Sequence, residues 1–352
     1  MSDHQLKGFD RRAFLRQGIA GAIGLPVVQM LSALPALAVE TIVFVAYGGT
    51  TQDAQMEIFI DAYQKETGGR VIGASGPDLA KIRAQVQTRN IEWDLISFSG
   101  TQAAAAERAG LLEKFDPSVA DYSDSMLKGS DFAVPYYSYG CGIAFDPKRH
   151  PAGRHPADWK QFWDVKNFPG RRGIRSLPAE TLEIALLADG VAPQAIYPLD
   201  VDRAFASLDK IKPHVAKWIA ETPQTITLLQ QNEVDFVPTY NGRVEAAQKQ
   251  GISVDYVYDH NIVTSSYLCM PKGLKHKAEA NKLASFFLRP DLQAAYCNRM
   301  VYTPVQKSAV PLLNADIRAK QPKMETAVVT DTSWWAQNLA KVSERFKEWM
   351  IT

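Results

Sequence analysis

The sequence predicts an α/β protein of two lobes, each a mainly parallel sheet flanked by helices, with a hinge between them. Three observations carry that expectation. Strand and helix signals alternate from residue 41 onward, the alternation restarts near residue 140, and no Pro- or Ser-rich linker divides the two runs. At 352 residues the chain is long enough for two such units.

The elements follow in order. Thr41–Ala46 is a β-rich apolar run that ends in Tyr47-Gly48-Gly49-Thr50-Thr51. Asp53 is expected to cap a helix on which Met56, Phe59, Ile60 and Tyr63 recur at helical spacing, and Gly68-Gly69 stops it. A strand over 70–73, a helix over 79–87, a strand over 93–98 and a helix over 102–109 complete a β-α-β-α-β series. Such a series makes a parallel sheet, and ligands of parallel sheets collect at the carboxyl ends of the strands. The second run predicts strands at 142–146, 173–176 and 233–238, with helices over 159–163, 181–188 and 201–211. The 233–238 strand leads through Tyr240-Asn241-Gly242-Arg243 into another helix. After Tyr267-Leu268-Cys269-Met270-Pro271 a helix over 277–287 follows. Trp335, Leu339, Val342, Phe346 and Trp349, spaced 4, 3, 4 and 3, form one face of a last helix that should clamp onto a lobe. These boundaries make 39–138 the first part of lobe 1, 139–262 lobe 2, and 263–352 the return to lobe 1 with the C-terminal helices.

Residues 1–38 read as an export leader. Arg11-Arg12 precedes Phe14-Leu15, an apolar Gly-rich run fills 18–28, and Ala36-Leu37-Ala38 offers a cleavage site. The apolar run is too short to span a bilayer. The arginine pair matches the twin-arginine route, which places the mature chain in a bacterial periplasm. Cys141, Cys269 and Cys297 each sit in an apolar setting and read as buried free thiols, one disulfide with a spare thiol being the alternative.

Composition removes several classes of function. Lysine plus arginine number 39 against 38 acids, so nothing argues for a nucleic-acid partner. Six histidines and three cysteines disfavour a metal centre rich in those residues. The chain carries no G-x-S-x-G, H-E-x-x-H, P-loop or G-x-G-x-x-G motif. Two alternatives stay open: an exported hydrolase acting through Ser99, and a ferric-ion carrier using Tyr136-Tyr137. The strand-end loops, rich in Gly, Ser, Thr, Tyr and Asn, suit a small polar molecule in a cleft better than covalent chemistry.

Tyr47-Gly48-Gly49, residues 63–68, Asp94-Leu95-Ile96, residues 109–112, Val134-Pro135, residues 185–190, Tyr240-Asn241-Gly242-Arg243 and Pro271-Lys272-Gly273 occur in an order that resembles the periplasmic solute-binding proteins of ABC importers, specifically the spermidine/putrescine-binding-like group. The resemblance implies the two-lobed periplasmic-binding-protein fold (type II), which closes at its hinge over a solute and docks on a membrane permease. It implies no catalysis, no cofactor, no metal and a monomer. Position by position, Tyr47, Gly49 and Thr50 would face the ligand, as would Ser99 and Thr101. Tyr136, Tyr137 and Ser138 would line the floor near the hinge, and Tyr240, beside Asn241, matches a tryptophan that stacks on polyamines.

The departures from that group redirect the ligand. The acidic pair of the polyamine binders falls on Pro178 and Thr181 here, with Glu180 between them, and their late Trp-x-Asp falls on Thr264-Ser265-Ser266. Arg243 stands where they have a small residue. A pocket that loses acid and gains base suits a carboxylate forked by Arg243 with an amine near Glu180, an amino-acid-like solute rather than a simple polyamine.

Overall fold

Strand β1 (Thr41–Ala46) buries Ile42, Phe44 and Val45 completely, as its β-branched and aromatic composition requires. The computed structural model to which it belongs describes residues 40–352, so the expected leader lies outside the described residues. Gly48 and Gly49 follow at φ 81° and 63°, a conformation open to glycine without steric cost, and turn the chain directly into α1 (Gly49–Gln55). The helix therefore starts at Gly49, not at Asp53, which lies inside it. It passes through a π segment, Met56–Ile60, into α2 (Asp61–Thr67) and stops at left-handed Gly68. Then come β2 (Arg70–Ser75), α3 (Leu79–Thr88), β3 (Leu95–Ser99), α4 (Gly100–Arg108) and the short β4 (Leu112–Glu113).

Strand β5 (Ala133–Phe145) is far longer than the expected 142–146. Its Val134-Pro135 lies inside the strand. Pro135 pairs with Tyr267 next to a register slip that leaves Tyr136 unpaired, a bulge of the kind where proline is tolerated in a sheet. The chain continues with α5 (Trp159–Trp163), β6 (Arg172–Arg175), α6 (Thr181–Ala188), α7 (Val201–Ile211), β7 (Val215–Ile219), α8 (Gln224–Gln230), β8 (Phe236–Tyr240), α9 (Asn241–Lys249) and β9 (Asp255–Tyr256). β8 begins later than 233 because Asp235 is caught by Arg149 and Arg171. The last section holds β10 (Ile262–Pro271), α10 (Lys277–Phe287), α11 (Pro290–Met300), β11 (Thr303–Pro304), α12 (Ala315–Ala319), β12 (Val328–Val329) and α13 (Thr332–Ile351).

The main strand order is β2-β1-β3-β10-β5-β8-β6-β7. β1 runs parallel to β2 and β3, and β6 runs parallel to β7 and β8. Between these two parallel sets, β5 and β10 cross antiparallel to each other. β5 serves both halves. Its Val134, Tyr136 and Tyr137 join one core with Phe44, Phe59 and Phe287, whereas its Cys141, Ile143 and Phe145 join another with Trp159, Leu182 and Phe205. Further clusters cover the other faces of the sheet, with Ala133 of β5 in one and Ala144 in the other, and these cores hung on shared central strands make a two-lobed α/β fold.

Helix α13 belongs to the second core, to which it gives Trp335, Val342 and Phe346. Its first turn lies against α4, so closely that a Cβ on Gly100 would stand 2.3 Å from the Thr332 methyl. All three cysteines are buried and free, and burial pushes their thiol pKa values well up.

Candidate functional site

Helices follow the carboxyl ends of the strands in both parallel sets, and four of them carry the expected site residues: α1 after β1, α4 after β3, α6 after β6 and α9 after β8. Helix starts leave backbone N–H groups without partners, which favours anionic and polar guests. The strand register brings the two pairs together. Ser266 on β10 faces Ser99 of β3 on one side and Tyr137 of β5 on the other, and Cys141 of β5 faces Tyr240 of β8.

From the first parallel set, Gly49 and Thr50 are exposed at the start of α1. Tyr47, 50% exposed, receives the Ser99 backbone N–H at 2.8 Å and donates its hydroxyl proton to Gln102. The Ser99 hydroxyl caps α4 and donates to Gln102 at 3.0 Å, with no histidine among its partners. Thr101 is half-buried on the first turn of α4. Ser138 and Ser266 are buried in the floor. Tyr136 is fully buried, accepting from Gln55 at 2.6 Å and lying 2.7 Å from the Ser97 hydroxyl, and burial raises its pKa and that of Tyr137. Both phenols are therefore core groups held neutral.

An aromatic band joins the floor to the second lobe. Tyr302 stacks on Tyr137 at 4.9 Å, Tyr139 lies 5.8 Å from Tyr302, and Tyr240 meets Tyr139 edge-on at 5.1 Å. Burial raises the Tyr302 pKa, and its hydroxyl's partnership with Thr51 and the charge of Arg243 oppose that rise. Tyr302 thus stands between α1 and α9.

On the second lobe Tyr240 donates its hydroxyl to Glu180, which lies 2.9 Å away at Oε1 and 3.1 Å at Oε2. Burial raises the Glu180 carboxyl to about 7, against the lowering effects of Tyr240 and Arg175. Glu180 also sits at φ 69°, a left-handed conformation that a non-glycine residue adopts at a cost of about 1–3 kcal/mol and that clusters at working sites. Arg243 is exposed on α9 and makes no ion pair among the described residues. Asn241 is fully buried: it donates to the Val301 carbonyl at 2.8 Å and accepts from the Gly140 N–H at 3.3 Å. Its amide braces the crossing of β5 and α9 instead of facing a guest.

The sequence reading missed Thr51, Gln102, Tyr139, Tyr302 and Arg175. Tyr139 was within reach of alternation along β5, two residues beyond Tyr137. Tyr302 was not, because only the fold brings the segment after α11 against Tyr137 and Tyr139.

Hydroxyls, amides, phenols, one buried carboxylate and an unpaired guanidinium, gathered where two lobes share their central strands, define a protein that binds a small solute. The family profile described as bacterial extracellular solute-binding protein matches residues 59–326, and the chain belongs to that family. It is 31% identical to the gamma-aminobutyric acid-binding protein of Pseudomonas aeruginosa, over 88% of this chain and 91% of that one. It is 23% identical to the spermidine/putrescine-binding periplasmic protein of Escherichia coli, over 82% and 86% of the two chains. Among solved structures, a GABA receptor is similar with a TM-score of 0.81 and 33% identity, covering 88% of this chain and 97% of the receptor. A binding protein of A. tumefaciens solved with agropinic acid is similar with a TM-score of 0.73 and 31% identity, covering 89% and 99%. The resemblance to the spermidine/putrescine-binding-like group and the type II fold it implied are both upheld. These relatives are transport proteins that hold solutes, and the location that goes with them is the periplasm. Among the described residues no helix is long and apolar enough to cross a membrane.

Proposed function

We propose that this chain captures an amino-acid-like solute, carrying both an amine and a carboxylate, and delivers it to the permease of an ABC importer. The observation that carries this reading is a charge pair on one lobe. Glu180, buried and held by Tyr240, offers a site for an ammonium, and Arg243, three residues beyond that tyrosine, offers an unpaired fork for a carboxylate. The gamma-aminobutyric acid-binding relative supports the same class of solute. Gly49, Thr50, Ser99 and Thr101 supply the opposite wall from lobe 1 (39–138 with 263–331), and closure of lobe 2 (139–262, with α13 packed on its core rather than on that of lobe 1) about β5 and β10 buries the guest. The ligand selects the closed state by touching both lobes. The protein acts as a monomer, without a cofactor, and reaches the periplasm by the twin-arginine route.

Calorimetric titration of the purified protein with γ-aminobutyrate, longer ω-amino acids, α-amino acids and putrescine tests the reading. Saturable binding at one site by an amino acid, weakened more than about tenfold by Arg243→Ala, is expected. Binding of putrescine alone, or of none of these solutes, would overturn it.

A further inference from the structure

Strand β6 carries two buried arginines, and the fold treats them differently. Arg172 is fully buried and used throughout: its Nε, Nη1 and Nη2 donate to the carbonyls of Phe162, Gly170 and Phe168 at 3.1, 2.6 and 2.6 Å, and its guanidinium lies over the rings of Phe162 and Phe236. That is what an arginine looks like when its task is structural. Arg175, at the carboxyl end of the same strand, is 6% exposed. Its one hydrogen bond among the described residues is a 3.5 Å contact from Nη2 to the Ala220 carbonyl, the outer limit of such a bond, and its Nε is buried with no partner.

A guanidinium cannot shed its proton, and one removed from water without acceptors costs several kcal/mol, as an order of magnitude. Five donors in a planar fork match a carboxylate. The nearby acid does not fill that role: Glu180 feels the charge of Arg175, yet its carboxylate is engaged by the Tyr240 hydroxyl and makes no hydrogen bond with Arg175. Arg175 therefore stands at the solute-facing end of the strand, beside Glu180 and Tyr240, with most of its fork unused.

We propose that Arg175 is a second anion anchor, so that the solute is an amino acid carrying two carboxylates, one forked by Arg175 and the other by Arg243. This rests on the solute class proposed above and narrows it. Charge matching agrees: Glu183 is taken up by Tyr197 and Trp335, which leaves Arg175 and Arg243 against Glu180 and favours a guest with two carboxylates and one ammonium.

γ-Aminobutyrate and glutamate differ by one carboxylate, which makes them the probes, with 2-aminoadipate as a longer dicarboxylate. Calorimetry on the wild-type chain is expected to give at least about tenfold tighter binding of glutamate or 2-aminoadipate than of γ-aminobutyrate. Arg175→Met is expected to abolish that preference by weakening glutamate and 2-aminoadipate more than γ-aminobutyrate, and Arg175→Lys to restore part of it. Circular dichroism checks that each variant folds; if neither does, the wild-type ratio decides alone. Equal or tighter binding of γ-aminobutyrate by the wild type, or a preference that survives Arg175→Met, would overturn this inference and leave the broader solute class standing. Failure of all three probes, with every other amino acid, would bring down both.

Discussion

The phenol of Tyr240 lies within 3.1 Å of both carboxylate oxygens of Glu180, and this contact joins the start of α9 to the start of α6. It places an acid and its donor where the chain enters two helices, on the lobe that also presents Arg243. Tyr240→Phe keeps the ring and removes the donor. A hydrogen bond to a charged group contributes about 1.5–3 kcal/mol, so amine-bearing solutes are expected to bind about tenfold or more weakly in this variant. Calorimetry reads the effect, and unchanged affinity would show that the phenol does not set the acid's position.

Glu180 also gives the protein a pH signature. Burial lifts its carboxyl from 4.5 to about 7, the Tyr240 hydroxyl and the Arg175 charge offsetting only part of the rise. An acid whose folded pKa is raised contributes stability that is full below its unfolded pKa and is lost as pH rises through its folded pKa. The unliganded wild type is therefore expected to lose melting temperature relative to Glu180→Gln between about pH 4.5 and pH 7. An ammonium guest prefers the ionised acid, so its affinity is expected to rise over the same window. A wild-type curve parallel to that of Glu180→Gln would contradict both expectations.

One turn along α6, Glu183 is fully buried and accepts from the Trp335 indole at 2.7 Å and from Tyr197. This bond ties the C-terminal helix α13 to the helix that carries Glu180. Trp335→Phe is expected to lower stability by about 1–3 kcal/mol in urea denaturation, because it removes one of the two donors to a buried carboxylate oxygen. In a Glu183→Leu background the same change is expected to cost measurably less. Equal losses in both backgrounds would mean that the indole acts through packing alone.

Gly242 has no room for a side chain. A Cβ there would lie 2.7 Å from the Tyr302 ring and 2.8 Å from the Met300 carbonyl oxygen. Gly242→Ala must therefore shift backbone, with an expected loss of about 1–3 kcal/mol in stability and weaker solute binding as Tyr302 is displaced. Thermal unfolding and calorimetry on the same preparation check both effects, and a variant with wild-type values would contradict the tight approach of α9 to Tyr302.

Much of the lobe architecture was legible because periodicity speaks for buried elements. α6, α7 and α10 fall on the residues their apolar spacing marks, and β1 on its β-branched run. β7 and α8 left no such signal: β7 is a partly exposed edge strand, and α8 buries only Thr225 and Leu229. The helix start at Gly49 was hidden because two glycines did the work expected of Asp53. At the site, motif residues such as Tyr240 and Glu180 could be named from sequence, but their contact could not, since it spans sixty residues. Arg175 was invisible for a different reason. Arg172 and Arg175 look alike in sequence, and only hydrogen-bond accounting separates the braced guanidinium from the unused one.

The central claim is a hinged pair of lobes that closes on an unreacted guest. Small-angle X-ray scattering of the protein, recorded with and without saturating concentrations of whichever amino acid binds in calorimetry, tests it most directly, with NMR of the recovered solute alongside. The account expects the radius of gyration to fall on binding and the solute to return chemically intact. A radius that does not change while the site is saturated, or a solute returned as product, would contradict it.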